Sequence, residues 1–158
     1  MKLPEPLFAV INPLVGALLK SPLHSLCSDS LMLITFTGRS SGRQFTTPVR
    51  YIRDGDIVRC FTSSTNQWWR NLRGGADVTL RLRGRDFAYF ATAVENDSSE
   101  VKKWLRHYLG LFPQDAAYHE IRLNPDKTLV AEDLDRASHQ AVVVRAEPKQ
   151  SQGATNAT

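Results

Sequence analysis

A chain of 158 residues with 42% apolar and 23% charged side chains can bury a core and is too short for two ordinary domains. Its net charge of +4 conceals a local excess, because Arg39 to Arg85 carries 10 arginines, no lysine and 3 acids, whereas the remainder is net −3. Arginine suits bidentate capture of anions, so the basic stretch points to an anionic ligand or a nucleic acid. Two distant cysteines, Cys27 and Cys60, fit no disulfide framework or metal spacing and read as buried thiols in a reducing, cytoplasmic setting.

In chain order, Pro4, Pro6, Pro13 and Pro22 break the N-terminal apolar residues, which excludes a membrane-spanning segment there. No signal peptide is evident. Leu14 to Leu19 with Leu23 and Leu26 form an amphipathic stripe within a helical segment, residues 1–28, expected to cover the core. Peripheral contact with a membrane is its second reading. Leu31 to Thr37 reads as a strand, and Thr46 to Arg53 as the next, with Val49, Tyr51 and Arg53 sharing a face. Asp54-Gly55 turns the chain into a third strand, Ile57 to Thr62. Asn66 to Arg73 reads as a short helix capped by Thr65 and stopped by Gly74-Gly75.

Val78, Leu80 and Leu82 alternate with Thr79, Arg81 and Arg83, the pattern of a half-buried strand, and Gly84 turns it into Phe87 to Val94. The mixed faces of that partner strand predict burial on both sides. Ser98 or Ser99 is expected to cap a helix to about Leu109, with Val101, Trp104, Leu105 and Tyr108 as its apolar stripe. Pro113 opens a short helix to about Ile121, Thr128 to Ala137 is a further helical segment, and Ala141 to Arg145 is the last strand. The polar tail from Lys149 to Thr158 is expected to be disordered. Hairpin-joined strands with helices at the periphery predict an α+β fold, an antiparallel barrel forming one domain over residues 1–148.

Hydrolytic and metal chemistry find no support. His24, His107, His119 and His139 are scattered, His107 and His119 read as helix-surface residues, and no serine occupies a nucleophile elbow. Two stretches carry more. In GRSSGRQFTTP, Gly38 to Pro48, the glycines permit close backbone approach, the serines offer hydroxyls, and Arg39 and Arg43 pair with phosphate or carboxylate. In NQWWRNLRGG, Asn66 to Gly75, adjacent tryptophans on a helix diverge by about 100°, so one enters the core while the other lines a cleft. Asn71 follows Trp68 by three residues and shares its face.

Together, LITFTGRSSGRQFTTPVRYIRDGD and WWRNLRGGADVTLRLRGR resemble the deazaflavin-dependent nitroreductase and quinone reductase family over roughly Leu31 to Val94. The resemblance implies a split β-barrel of the pyridoxamine-phosphate-oxidase-like, FMN-binding type. It also implies hydride transfer from coenzyme F-420, or FMN, to a small acceptor such as a quinone, nitro compound or conjugated carbonyl. It places the phosphate and acidic tail of the coenzyme at Gly38, Arg39, Ser40, Ser41 and Gly42 with Arg43 nearby. The ring falls over Thr47 and Pro48, against Thr62 and Ser63, and beside Trp68 and Asn71. Tyr118 and Ser63 are the candidate catalytic residues, Tyr118 as a donor of a proton or hydrogen bond to the reduced acceptor.

The departures are specific. Ser40 stands where the family commonly has lysine, only Thr65-Asn66-Gln67 precede Trp68, and FPQDAAYHE puts Phe112 and Asp115 at tyrosine-like positions, keeping Tyr118. Those losses leave a non-catalytic flavin or haem binder on the same barrel as the alternative. A small-molecule partner and no nucleic acid is the expectation, with a monomer or homodimer both open.

Overall fold

The computed structural model describes residues 30–149. The N-terminal helical segment, Cys27 and the tail beyond residue 149 lie outside the described residues. Six antiparallel strands, β1 (Leu31–Thr37), β2 (Gln44–Asp54), β3 (Ile57–Ser63), β4 (Ala76–Leu82), β5 (Arg85–Val94) and β6 (Ala141–Pro148), close a barrel in the order β1-β2-β3-β6-β5-β4. Between β5 and β6 come α1 (Ser98–Leu111), a 3-10 helix (Pro113–His119) and α2 (Ala131–Ser138). The first 3-10 helix in chain order, Trp68–Leu72, lies between β3 and β4, so that Pro113–His119 is the second. The α+β barrel with peripheral helices is the architecture the strand pattern predicts.

Period-2 alternation divides the apolar residues into two clusters. Ile34, Val58, Cys60, Leu80, Ala91 and Val144 point inward and fill the barrel, and Trp69 and Leu72 of the first 3-10 helix join them. Ile52, Phe61 and Val143 point outward and pack against Val101, Leu105, Tyr108 and Leu109 of α1 and Leu134 and Ala137 of α2. Burial pushes the Cys60 thiol up to about 12, so it packs as an inert apolar group.

Several local expectations are corrected. The β2–β3 turn centres on Gly55-Asp56, since Asp54 still pairs with Ile57 and Gly55 has φ +60. Arg53 shares its parity with buried Tyr51 but is exposed near that turn. Arg83 is a turn residue beside Gly84, both at positive φ, between the paired Leu82 and Arg85. Asp97, not a serine, caps α1 by accepting from Glu100 N–H at 3.1 Å. The N-cap position of the first 3-10 helix is Gln67, not Thr65, whose hydroxyl bonds Ser63 Oγ at 3.0 Å. Burial on both sides of β5 fails at Phe87 and Phe90, each 43% exposed. Lys149 is tied down, donating its N–H to Ala88 C=O at 3.1 Å and pairing with Asp77 at 3.0 Å.

The segment between the second 3-10 helix and β6 is clamped by one carboxylate. Asp133, in the first turn of α2, accepts from Arg122 N–H at 2.9 Å and Arg122 Nε at 2.8 Å. It also accepts from Arg122 Nη2 and Arg136 Nη1, each at 3.2 Å. Hydrogen bonds from Arg122 come first among the causes that hold this carboxyl well below the usual range. Arg136 further donates to Glu120 C=O at 2.5 Å, which fixes the chain two residues after Tyr118.

Candidate functional site

The barrel opens between β2 and β3. Those strands pair only from Tyr51–Cys60 to Asp54–Ile57, after which β3 follows β6 and β2 stays with β1. Residues 44–50 of β2 therefore present an edge towards β3, and Pro48, which has no N–H to offer, stands on it opposite Leu33. A cleft of about 230 Å³ occupies this split. Thr47 and Pro48 line one side, Phe61 and Thr62 the other, and Asn66 and Trp68 close the end. Tyr108, Asp115, Tyr118 and His119 form the roof.

The paired tryptophans divide as the helical geometry predicts. Trp69 is 2% exposed in the barrel core, whereas Trp68 is half-buried with its ring 5.8 Å from Phe36. Phe36 in turn stacks on Phe45, which covers Gly38; a Cβ at Gly38 would lie 2.9 Å from the Phe45 ring and 2.8 Å from Ser41 Oγ. A side chain at Gly38 would have to displace Phe45 and Ser41, so glycine is favoured there by close contact rather than by φ.

Asn71 joins two segments of the site. Its Oδ1 accepts the Arg39 N–H at 3.0 Å and its Nδ2 donates to Trp68 C=O at 2.9 Å, so it ties the 38–43 loop to the 3-10 helix carrying Trp68. The loop is closed internally by Gly38 N–H to Arg43 C=O at 2.8 Å, Gly42 N–H to Gly38 C=O at 2.9 Å and Arg43 N–H to Ser41 Oγ at 3.2 Å. Gly42 sits at φ +69. These bonds leave the Ser40 and Ser41 N–H groups, with the Arg39 and Arg43 guanidiniums, as donors on an exposed loop.

Of the residues singled out in the sequence, Thr47, Pro48, Thr62, Trp68 and Tyr118 meet in the cleft. Gly38, Arg39, Ser40, Ser41, Gly42 and Arg43 form the loop that Asn71 holds beside Trp68. Ser63 is 3% exposed and lines a separate cavity of about 10 Å³ with Tyr118 and His119. His119 is buried, not on the surface, with its ring 5.0 Å from Tyr118 and 6.4 Å from Tyr108.

Arg50, Tyr108 and Asn66 are site residues that sequence reasoning did not single out. Arg50 Nε pairs with Asp115 at 2.6 Å, its Nη1 donates to Ser30 Oγ at 2.7 Å, and its guanidinium covers Phe112 at 4.7 Å. Tyr108 Oη donates to the same Asp115 oxygen, and burial, followed by this carboxylate, pushes its phenol up. Tyr108 is thereby held protonated. Asn66 Nδ2 donates to Thr62 Oγ1 at 2.8 Å and to Tyr118 Oη at 2.9 Å. The short loop before Trp68 is thus tied across the cleft.

This donor set fits a flat ring with an anionic tail. Trp68, Pro48 and Phe61 offer apolar walls, Thr47 and Thr62 offer hydroxyls, and the serine and arginine donors of the neighbouring loop suit phosphate. Among the described residues no helix is long and apolar enough to cross a membrane.

Comparisons with known proteins agree with this geometry. A solved structure described as a domain-swapped dimer is 16% identical, aligns over 88% of this chain and 98% of its own, and gives a TM-score of 0.51. A protein of unknown function from Agrobacterium tumefaciens is 15% identical over 82% of this chain and 56% of its own, with a TM-score of 0.50. An F420 reductase is 14% identical over 85% of this chain and 92% of its own, with a TM-score of 0.41. No curated protein matches the chain in sequence. At these identities the two likenesses with TM-scores of 0.51 and 0.50 speak for the fold alone. The family model of F420H(2)-dependent quinone reductase matches residues 21–129. The split barrel described here belongs to that family, and is an oxidoreductase that depends on the deazaflavin cofactor F-420.

Proposed function

We propose that the cleft between β2 and β3 holds the ring of F-420 and that the protein reduces a small quinone there, in the cytoplasm. Nitro compounds and conjugated carbonyls are acceptors of the same chemical kind. The observation that carries this reading is the meeting of Thr47, Pro48, Thr62, Trp68 and Tyr118 in one cleft, with the arginine loop pinned beside it by Asn71. Reduced F-420 supplies the hydride. The chain supplies position.

Trp68 and Pro48 hold the ring's faces, and Thr47 and Thr62 bond its polar edge. Arg39, Ser40, Ser41 and Arg43 hold the phosphate and acidic tail, with Gly38 and Gly42 shaping the loop. Arg43 and Arg39 carry the charge in a loop whose Ser40 brings none. Tyr118 reaches the acceptor's oxygen as hydrogen-bond or proton donor. Ser63 bonds the Thr65 hydroxyl at 3.0 Å and supports the turn after β3, next to Thr62 at the ring's edge. The Arg50–Asp115–Tyr108 network keeps the roof rigid, because the guanidinium and the phenol share one carboxylate oxygen.

The test is anaerobic oxidation of reduced F-420 by menadione, followed by deazaflavin absorbance, with FMN titrated in parallel. Saturable turnover with F-420 supports the reading. Binding of F-420 without transfer to menadione, a nitroarene or an enone contradicts it.

A further inference from the structure

Asn66 is 8% exposed, and its side-chain nitrogen bridges two hydroxyls, Thr62 Oγ1 at 2.8 Å and Tyr118 Oη at 2.9 Å. A primary amide nitrogen has two hydrogens and no acceptor capacity, so both are committed. The Tyr118 oxygen is thereby an acceptor towards Asn66, and its own hydrogen points elsewhere. Tyr118 lines the cleft from the second 3-10 helix, and Thr62 lines it from β3. From this geometry we infer that Asn66 is the positioning residue that makes Tyr118 a donor to the acceptor in the cleft. The inference rests on the reductase reading above.

The proton balance is simple. The acceptor takes a hydride, and with it two electrons, from the reduced cofactor, and the Tyr118 proton moves to the oxygen where negative charge collects. The phenolate left behind is held by the Asn66 N–H and regains a proton from solvent water. Only a donor at position 66 supports both steps. A carboxylate in the same place accepts instead, turns the Tyr118 and Thr62 hydroxyls towards itself, and takes the proton out of the cleft.

Asn66→Asp is nearly isosteric and gives the test its sign. At neutral pH it should lower kcat for menadione about 100-fold, as Tyr118→Phe should, while F-420 binding weakens by no more than the roughly two- to tenfold of one lost Thr62 hydrogen bond. Because a protonated carboxyl again offers an O–H to Tyr118, the activity of Asn66→Asp should recover as pH falls and disappear as pH rises. The ionisable groups that line the same cleft, His119, Asp115, Tyr108 and Arg50, are common to wild type and variant, so the difference between the two profiles isolates position 66. Menadione binding to the F-420-free protein, by equilibrium dialysis, should weaken two- to tenfold in Asn66→Asp at neutral pH, the range of one hydrogen bond. The double variant with Tyr118→Phe should be no slower than either single one.

Wild-type turnover by Asn66→Asp, a loss that does not vary with pH, or additive losses in the double variant would each overturn the assignment of Asn66. Failure of the wild-type protein to bind F-420 would instead overturn the underlying reading, and this inference with it.

Discussion

The barrel interior and the split beside it are built from the same strands and follow opposite rules. Inside, Ile34, Val58, Cys60 and Leu80 are each 0% exposed and need only size and apolarity. In the split, Arg50, Asp115, Tyr108, Asn66 and Tyr118 are held by named hydrogen bonds in which each partner has a direction. The interior therefore sets stability, and the split sets chemistry. The boundary falls where β2 and β3 stop pairing, which leaves β2 free to carry Pro48 and β3 free to carry Thr62 to the rim.

That contrast predicts effects of different kind and size. Leu80→Ala removes a side chain with no exposure, and should cost about 2–5 kcal/mol in urea unfolding while leaving F-420 affinity in the folded fraction unchanged. Arg39→Ala should do the reverse, with unchanged thermal stability and at least about tenfold weaker F-420 binding, or about 1.4 kcal/mol, by direct titration. Asn71→Ala should weaken F-420 several-fold but leave binding of the deazaflavin ring without its phosphate tail nearly unaltered, because it frees the loop without touching that ring.

Acid sharpens the same comparison at the clamp behind the roof. The folded-state pKa of Asp133 is depressed, so its contribution is fully present above the unfolded value of about 3.9 and disappears as pH falls through the folded one. Asp133→Asn should lower the urea midpoint at neutral pH and show a shallower further loss towards pH 2 than wild type. An equal acid loss in both would remove Asp133 from the account.

Most of the fold was legible because its signals are local. Val78, Leu80 and Leu82 alternate, and Gly55 and Gly84 stand at turns that need positive φ. Caps were less legible, because Asp97, Ser98 and Ser99 all have capping chemistry and only geometry chooses among them. At the site, the loop and Trp68 were legible as stretches with their own chemistry. Asn66 was not, because its partner lies 52 residues away and nothing near it in the chain reports that contact. His119 read as a surface residue for the same reason, since one of the two rings that meet it, Tyr108, belongs to another helix. Asn71 was legible as important and illegible as a tie, since Arg39 lies 32 residues before it.

The proposed site sets F-420 against Trp68 in the split between β2 and β3. Titration of the protein with F-420, followed by intrinsic tryptophan fluorescence, tests it most directly when Trp68→Phe and Trp104→Phe are compared. Quenching should be saturable, persist in Trp104→Phe and largely disappear in Trp68→Phe. Quenching of the same amplitude and affinity in Trp68→Phe would contradict it.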